Sequence, residues 1–292
     1  MATIKINTIQ DLIAFSNGDY GRGTSSEYLD VVLTAYLDFA DLTEYDSPYN
    51  WGGCTGTWYV NFDGQGHKVD NIYYAGAAHW GFFYETNGGS IKNLRLTNIY
   101  ITTTTSCGII VNRSGGTNFE NIHISGDITA NGYCACFSAY NGTNTGRITI
   151  TNCSFAGSIR SMTSFCSLIV SEGYNRSAVV NNFAANGNIS SSENLYLWGS
   201  NADGMISNAY FIGVANTRSS LRLGLYGGPQ HNVYFVLKSG SKTSASSYNS
   251  VFNCYYDSTV ATAAGISVSG VTPATTAELQ DAQWLRDHDF TI

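Results

Sequence analysis

Apolar residues in this chain recur in short alternating runs with almost no helical period, and one repeated asparagine punctuates them. Val69-Asp70-Asn71-Ile72 is followed by Ile91-Lys92-Asn93-Leu94, Phe119-Glu120-Asn121-Ile122 and Ile150-Thr151-Asn152-Cys153. Val180-Asn181-Asn182-Phe183, Ile206-Ser207-Asn208-Ala209 and a weaker copy at Phe252-Asn253-Cys254 continue the series. The steps between the marker asparagines are 22, 28, 31, 30, 26 and 45 residues. Five residues past each marker stand Gly76, Asn98, Gly126, Gly157, Gly187, Gly213 and Ser258. Gly and Asn enter the left-handed backbone region at low cost, so a fixed offset of this kind predicts a repeated turn.

Each unit then carries a second apolar segment, among them Trp80-Gly81-Phe82-Phe83, Cys107-Gly108-Ile109-Ile110 and Cys166-Ser167-Leu168-Ile169. Short alternating strands at this period predict an all-β fold, a single-stranded right-handed parallel β-helix (solenoid) whose coils stack ~4.8 Å apart. Asn71, Asn93, Asn121, Asn152, Asn182, Asn208 and Asn253 are expected to stack as a structural ladder, amide on amide. A β-propeller needs about 40–50 residues per blade, which these steps do not supply. The raw sheet edges at the ends of a solenoid must be covered. Thr8 to Phe15, with Thr8 and Asp11 spaced as a cap, predicts one short helix; Thr275 to Arg286, with Thr275 and Glu278 as a capping box, predicts another. The chain divides accordingly into an N-terminal cap with first coils (1–60), a repeat body (61–260) and a C-terminal capping segment (261–292).

Asn61-Phe62-Asp63-Gly64-Gln65-Gly66-His67, Gly89-Ser90-Ile91-Lys92-Asn93-Leu94 and the closing Asn253-Cys254-Tyr255-Tyr256-Asp257 share a layout with known proteins. The layout resembles the right-handed β-helix repeat proteins of bacterial surfaces and bacteriophage particles, including those with GLUG-type repeats. That family includes adhesins, protease accessory regions and virion parts. The usual Gly-Leu-Phe-Gly segment is here Trp80-Gly81-Phe82-Phe83.

Composition narrows the function. Only 12% of the 292 residues are charged, and 14 basic against 21 acidic residues give a net charge of -7, which argues against nucleic acid as a partner. No apolar run approaches the ~18 residues of a membrane span. The seven cysteines are odd in number and none forms a Cys-x-x-Cys pair, so no metal site and no cofactor is expected. Their place in the apolar segments predicts that Cys107, Cys136 and Cys166 are buried and reduced. Free thiols without an apolar leader predict folding in a reducing cytoplasm.

Asp63 and His67 could form an acid–base pair, but the intervening glycines favour a turn in which Asp63 bonds its own backbone. One position before the markers, Asp70, Lys92 and Glu120 read as a charge ladder. A lysine between two carboxylates keeps both ionised, leaving no general acid for glycoside cleavage. Tyr45, Tyr49, Trp51, Trp58 and Tyr59, loosened by Gly52, Gly53 and Gly56, are the candidate contact surface for a glycan or a partner.

These features predict a non-enzymatic structural and binding protein: a bacteriophage virion appendage such as a head fibre, decoration or tail-spike component. It would assemble in the host cytoplasm and pack as a homotrimer, or in many copies, beside other virion proteins, and contact host surface carbohydrate. The alternatives are a bacterial cell-surface adhesin and a polysaccharide depolymerase.

Overall fold

A computed structural model describes residues 3–42, 48–141, 146–173, 178–199, 204–224, 228–246, 251–288 and 290. The chain is a parallel β-solenoid of about nine turns, all-β apart from a few short helices that make up 11% of it. Its strands form sheets of fourteen, seven and five members, in which strands from successive coils lie side by side. The largest sheet carries the long strands Ser90–Thr103, Asn118–Ala130, Ile148–Ser161, Ala178–Ser191 and Gly204–Thr217, each parallel to the next.

The marker asparagines bend these strands. Asn93, Asn121, Asn152, Asn182 and Asn208 all have φ between 52° and 57°, the left-handed conformation that asparagine tolerates. The bend turns the amide toward the neighbouring coil. Asn121 Nδ2 donates to Asn93 Oδ1 at 3.0 Å and Asn182 Nδ2 to Asn152 Oδ1 at 2.8 Å. Asn208 instead donates to Asn181 Oδ1 at 3.0 Å.

The ladder also departs from the expected one toward both ends. Asn71 lies in a different column, because Asp70 pairs with Thr97, which puts Asn71 beside Asn98 rather than Asn93. Asn93 instead donates to Asp63 Oδ1 at 3.0 Å. The 45-residue step hides a coil: Asn232, with φ 53°, donates to Asn208 Oδ1 at 3.1 Å. The expected turn residue is missing there, because Leu237 pairs with Gly213 at the end of the short strand Gln230–Leu237.

The glycine column is real over four coils. Gly126, Gly157, Gly187 and Gly213 have φ between 141° and 157°. A Cβ on Gly187 would stand 1.9 Å from the carbonyl oxygen of Gly157, and one on Gly213 1.8 Å from that of Gly187. Only glycine lets the coils approach that closely. Gly76 pairs with Thr103 and Ser258 opens a helix, so neither belongs to this column.

Inward positions fill the interior with apolar side chains. Cys107, Cys134 and Cys166 pair in register, and Leu195, Leu221 and Ala245 continue the column. The sulfurs therefore take the place of small apolar groups. Cys134, not Cys136, is the member of this column; Cys136 is buried two residues on. All seven cysteines are buried and free, and burial pushes the thiols of Cys107, Cys136 and Cys166 well above their ordinary range.

The N-terminal helix Ile9–Asn17 has the Thr8–Asp11 capping box, stops at Gly18 in the left-handed region, and buries Ile9, Leu12 and Phe15. At the other end two helices, Thr276–Gln280 and Ala282–Asp287, replace the single one expected. Asp281 divides them: it is extended (ψ 114°), and its carboxylate accepts from the backbone of Gln283 and Trp284 to cap the second.

Candidate active site

Because the coils are in register, a single offset from the marker asparagine becomes a column on the outer surface. Two residues past the markers stand Arg95, His123, Ser154, Ala184, Tyr210, Tyr234 and Tyr255, each paired with the next. They point outward because their neighbours on each strand, such as Ile122 and Ile124 or Cys153 and Phe155, are buried.

Along this column His123 Nδ1 lies 2.8 Å from Ser154 Oγ. Both face an open cleft of about 960 Å³ lined by Asp63, Asn93, Arg95, Asn121, His123 and Ser154. Desolvation and then the Arg95 guanidinium lower the pKa of His123, which favours the neutral imidazole. In the tautomer that carries its proton on Nε2, Nδ1 is free to accept the proton of the Ser154 hydroxyl. The arrangement is therefore a hydroxyl nucleophile with a neutral base in hydrogen-bond reach.

Asp63 is not the orienting acid of this pair. It stands in register with Lys92 and Glu120, three residues short of the His123 column, which Lys68 and Arg95 occupy on the earlier coils. Its oxygens are engaged: Oδ1 accepts from Gln65 N at 2.8 Å and from Asn93 Nδ2, and Oδ2 lies 3.6 Å from Lys92 Nζ. Burial works against its charge, but those donors hold Asp63 below the ordinary carboxylate range. This matches the turn reading of Asp63-Gly64-Gln65-Gly66-His67.

The Asp70–Lys92–Glu120 ladder is corrected. Lys92 pairs with Asp63 and Glu120, while Asp70 belongs beside Asp38 and Thr97. Asp70 is buried and accepts from Lys68, Thr97, Asn98 and Tyr36 at 2.6–2.9 Å. Those donors outweigh its desolvation and lower its pKa to about 2. It cannot serve as a general acid near neutral pH.

The aromatic loop is corrected as well. Trp51 and Trp58 are 2% and 0% exposed. Trp51 packs on Phe39 and Phe82 with ring centroids 5.2 and 5.1 Å away, and its Nε1 donates to Ser16 Oγ. Trp58 packs 4.6 Å from Phe15. Tyr49 is half-buried and stacks on Phe39; Tyr59 is half-buried beside Tyr28. Tyr45 lies outside the described residues. Gly53 serves close approach rather than projection: a Cβ there would meet the Gly81 carbonyl at 2.2 Å. The loop seals the first coils.

His123 and Ser154 stand two residues past their markers, neither at the position before the marker nor at the turn five residues beyond it. The signal was available: they are 31 residues apart, the same step that separates Asn121 from Asn152.

No protein-family model and no curated protein matches this chain. A solved structure described as a "putative immunoglobulin A1 protease" from Bacteroides ovatus shares the fold, with a TM-score of 0.61 and 17% identity over 97% of this chain and 86% of that one. At that identity the likeness establishes the fold alone. It also overturns two expectations. A phage appendage without enzymatic activity was inferred from the architecture, yet a solved chain with this architecture is named for proteolysis. The narrower likeness to GLUG-type repeats, and the virion, fibre and adhesin readings, gain no support from these comparisons.

Proposed function

We propose that this chain is a hydrolase that cleaves an acyl bond, with Ser154 as nucleophile and His123 as general base. The observation that carries this reading is the 2.8 Å contact between Ser154 Oγ and His123 Nδ1 in a surface cleft, where desolvation and then Arg95 lower the pKa of the imidazole. In the first half-reaction Oγ bonds to the acyl carbon while its proton passes to Nδ1. The carbon–leaving-group bond then breaks, and His123 returns the proton to the leaving group. Water repeats the sequence to release the acid and free Ser154. The positive charge of Arg95 in the same cleft favours the negative charge that develops on the acyl oxygen. The name of the Bacteroides ovatus chain makes peptide bonds the first class to test.

The test is labelling with a fluorophosphonate probe, combined with turnover of a peptide library and of simple esters. The expected result is labelling at Ser154 that is lost in Ser154→Ala, with turnover falling at least ~100-fold in Ser154→Ala and in His123→Gln. Absence of labelling, or turnover that both variants retain, would overturn the reading and leave the column a polar surface ladder.

A further inference from the structure

A second cleft, of about 340 Å³, opens on the last turn of three long strands. Arg160 points outward from Ile148–Ser161, and register places Ser190 and then Asn216 beside it on the next two coils. The chain continues past each strand end to Met162, Ser192 and Arg218, which line the same cleft. Two guanidinium groups two coils apart thus bracket a floor of hydroxyl and amide groups.

The inward hydroxyls of this region are occupied. Ser161 Oγ donates to Gly132 O at 2.7 Å, Ser191 Oγ to Ser164 O at 2.6 Å, and Thr217 Oγ1 to Glu193 O. Ser192 Oγ is different: it is buried and has no hydrogen-bond partner among the described residues. That oxygen offers almost no accessible surface, so the polar side chains that face the cleft are Arg160, Ser190, Asn216 and Arg218.

We propose that this cleft binds one unit of an acidic saccharide, its carboxylate or sulfate between Arg160 and Arg218. Guanidinium groups suit such oxyanions because their donors match the spacing of the oxygens. The rest of the lining selects for sugar. Ser190 and Asn216 can each donate and accept, which matches hydroxyl groups that do the same, whereas an anion offers acceptors only. Met162, 40% exposed, supplies an apolar patch for a ring face. The cleft is large enough for a monosaccharide unit at its mouth and lies apart from the residues of the Ser154 cleft. The inference is independent of the hydrolase reading.

The test is calorimetry on the full chain with a galacturonic acid trisaccharide, a sulfated disaccharide, inorganic sulfate and a glutamate hexapeptide. The expected result is saccharide binding that weakens with salt and falls at least 10-fold in Arg160→Gln and in Arg218→Gln, with both variants keeping the wild-type circular dichroism. Ser190→Ala should weaken it 3-fold or more, and Ser154→Ala should leave it unchanged. Binding that ignores both arginine variants, or no saccharide binding tighter than that of inorganic sulfate, would overturn the proposal. A preference for the peptide would overturn its saccharide part.

Discussion

One outward column changes character along its length. Its early members, Arg95, His123 and Ser154, are polar and line a cleft; its later members, Tyr210, Tyr234 and Tyr255, are rings packed on rings. Tyr210 and Tyr234 stack at 5.1 Å with planes 13° apart, and Tyr234 and Tyr255 both contact Phe290 of the C-terminal cap. The backbone is the same in both stretches, because asparagine bends and inward apolar residues fix it. Outward side chains are then free to differ. Where the cap folds back they bind the end of the solenoid; in the middle coils they remain available for chemistry. A solenoid can thus separate stability from function by coil rather than by layer.

The comparison predicts unequal costs at equivalent positions. Tyr234→Ala should lower unfolding free energy by about 2–3 kcal/mol, because it removes a half-buried ring that contacts Tyr210 and Phe290. Ser154→Ala, in the same column, should change it by no more than ~0.5 kcal/mol. Chemical denaturation of both variants checks this, and equal losses would break the division between the two stretches. Asn121→Ala should fall between them, costing about 1–2 kcal/mol, since it removes the amide bonded to Asn93 and puts alanine at φ 52°. Asn121→Gly sharpens the point. It removes the same amide but keeps the backbone conformation, so a smaller loss in denaturation would show that the bend outweighs the hydrogen bond.

The fold was legible because its determinants are local and repeated. A left-handed asparagine, a glycine whose Cβ would strike the next coil, and alternation between them can be counted along the chain. Register between coils was legible only in part. The strand Ser90–Thr103 holds two left-handed asparagines, Asn93 and Asn98, and counting alone cannot say which of them Asn71 meets. Asn232 was hidden because its strand ends at Leu237 and lacks the turn residue that marked the others. The aromatic loop misled for a related reason. Glycine and tryptophan in one loop suit projection and tight packing alike, and the choice rests on Phe15, Phe39 and Phe82, which are distant in sequence. The pairing of His123 with Ser154 follows from the coil length itself, once every outward offset is read as a column.

The smallest effect predicted is also the most direct probe of the cleft's electrostatics. His123 has a pKa lowered in the folded protein, so the unfolded chain binds its proton first as pH falls from the ordinary imidazole value of about 6.5. Unfolding is then favoured on the acid side: this contribution to stability is present above that value and is lost as pH falls toward the folded pKa. His123→Gln removes the penalty, so the difference in Tm between pH 8 and pH 5 should shrink relative to wild type. It should not vanish, because His79 is lowered in the same direction by burial and then by Arg113. Arg95→Gln carries the same logic into catalysis. With the neighbouring charge gone, the pKa of His123 should rise toward its ordinary value, and the acid limb of the pH–rate profile should move up with it. A Tm difference unchanged in His123→Gln, together with an acid limb unmoved in Arg95→Gln, would mean that Arg95 is not felt at the imidazole.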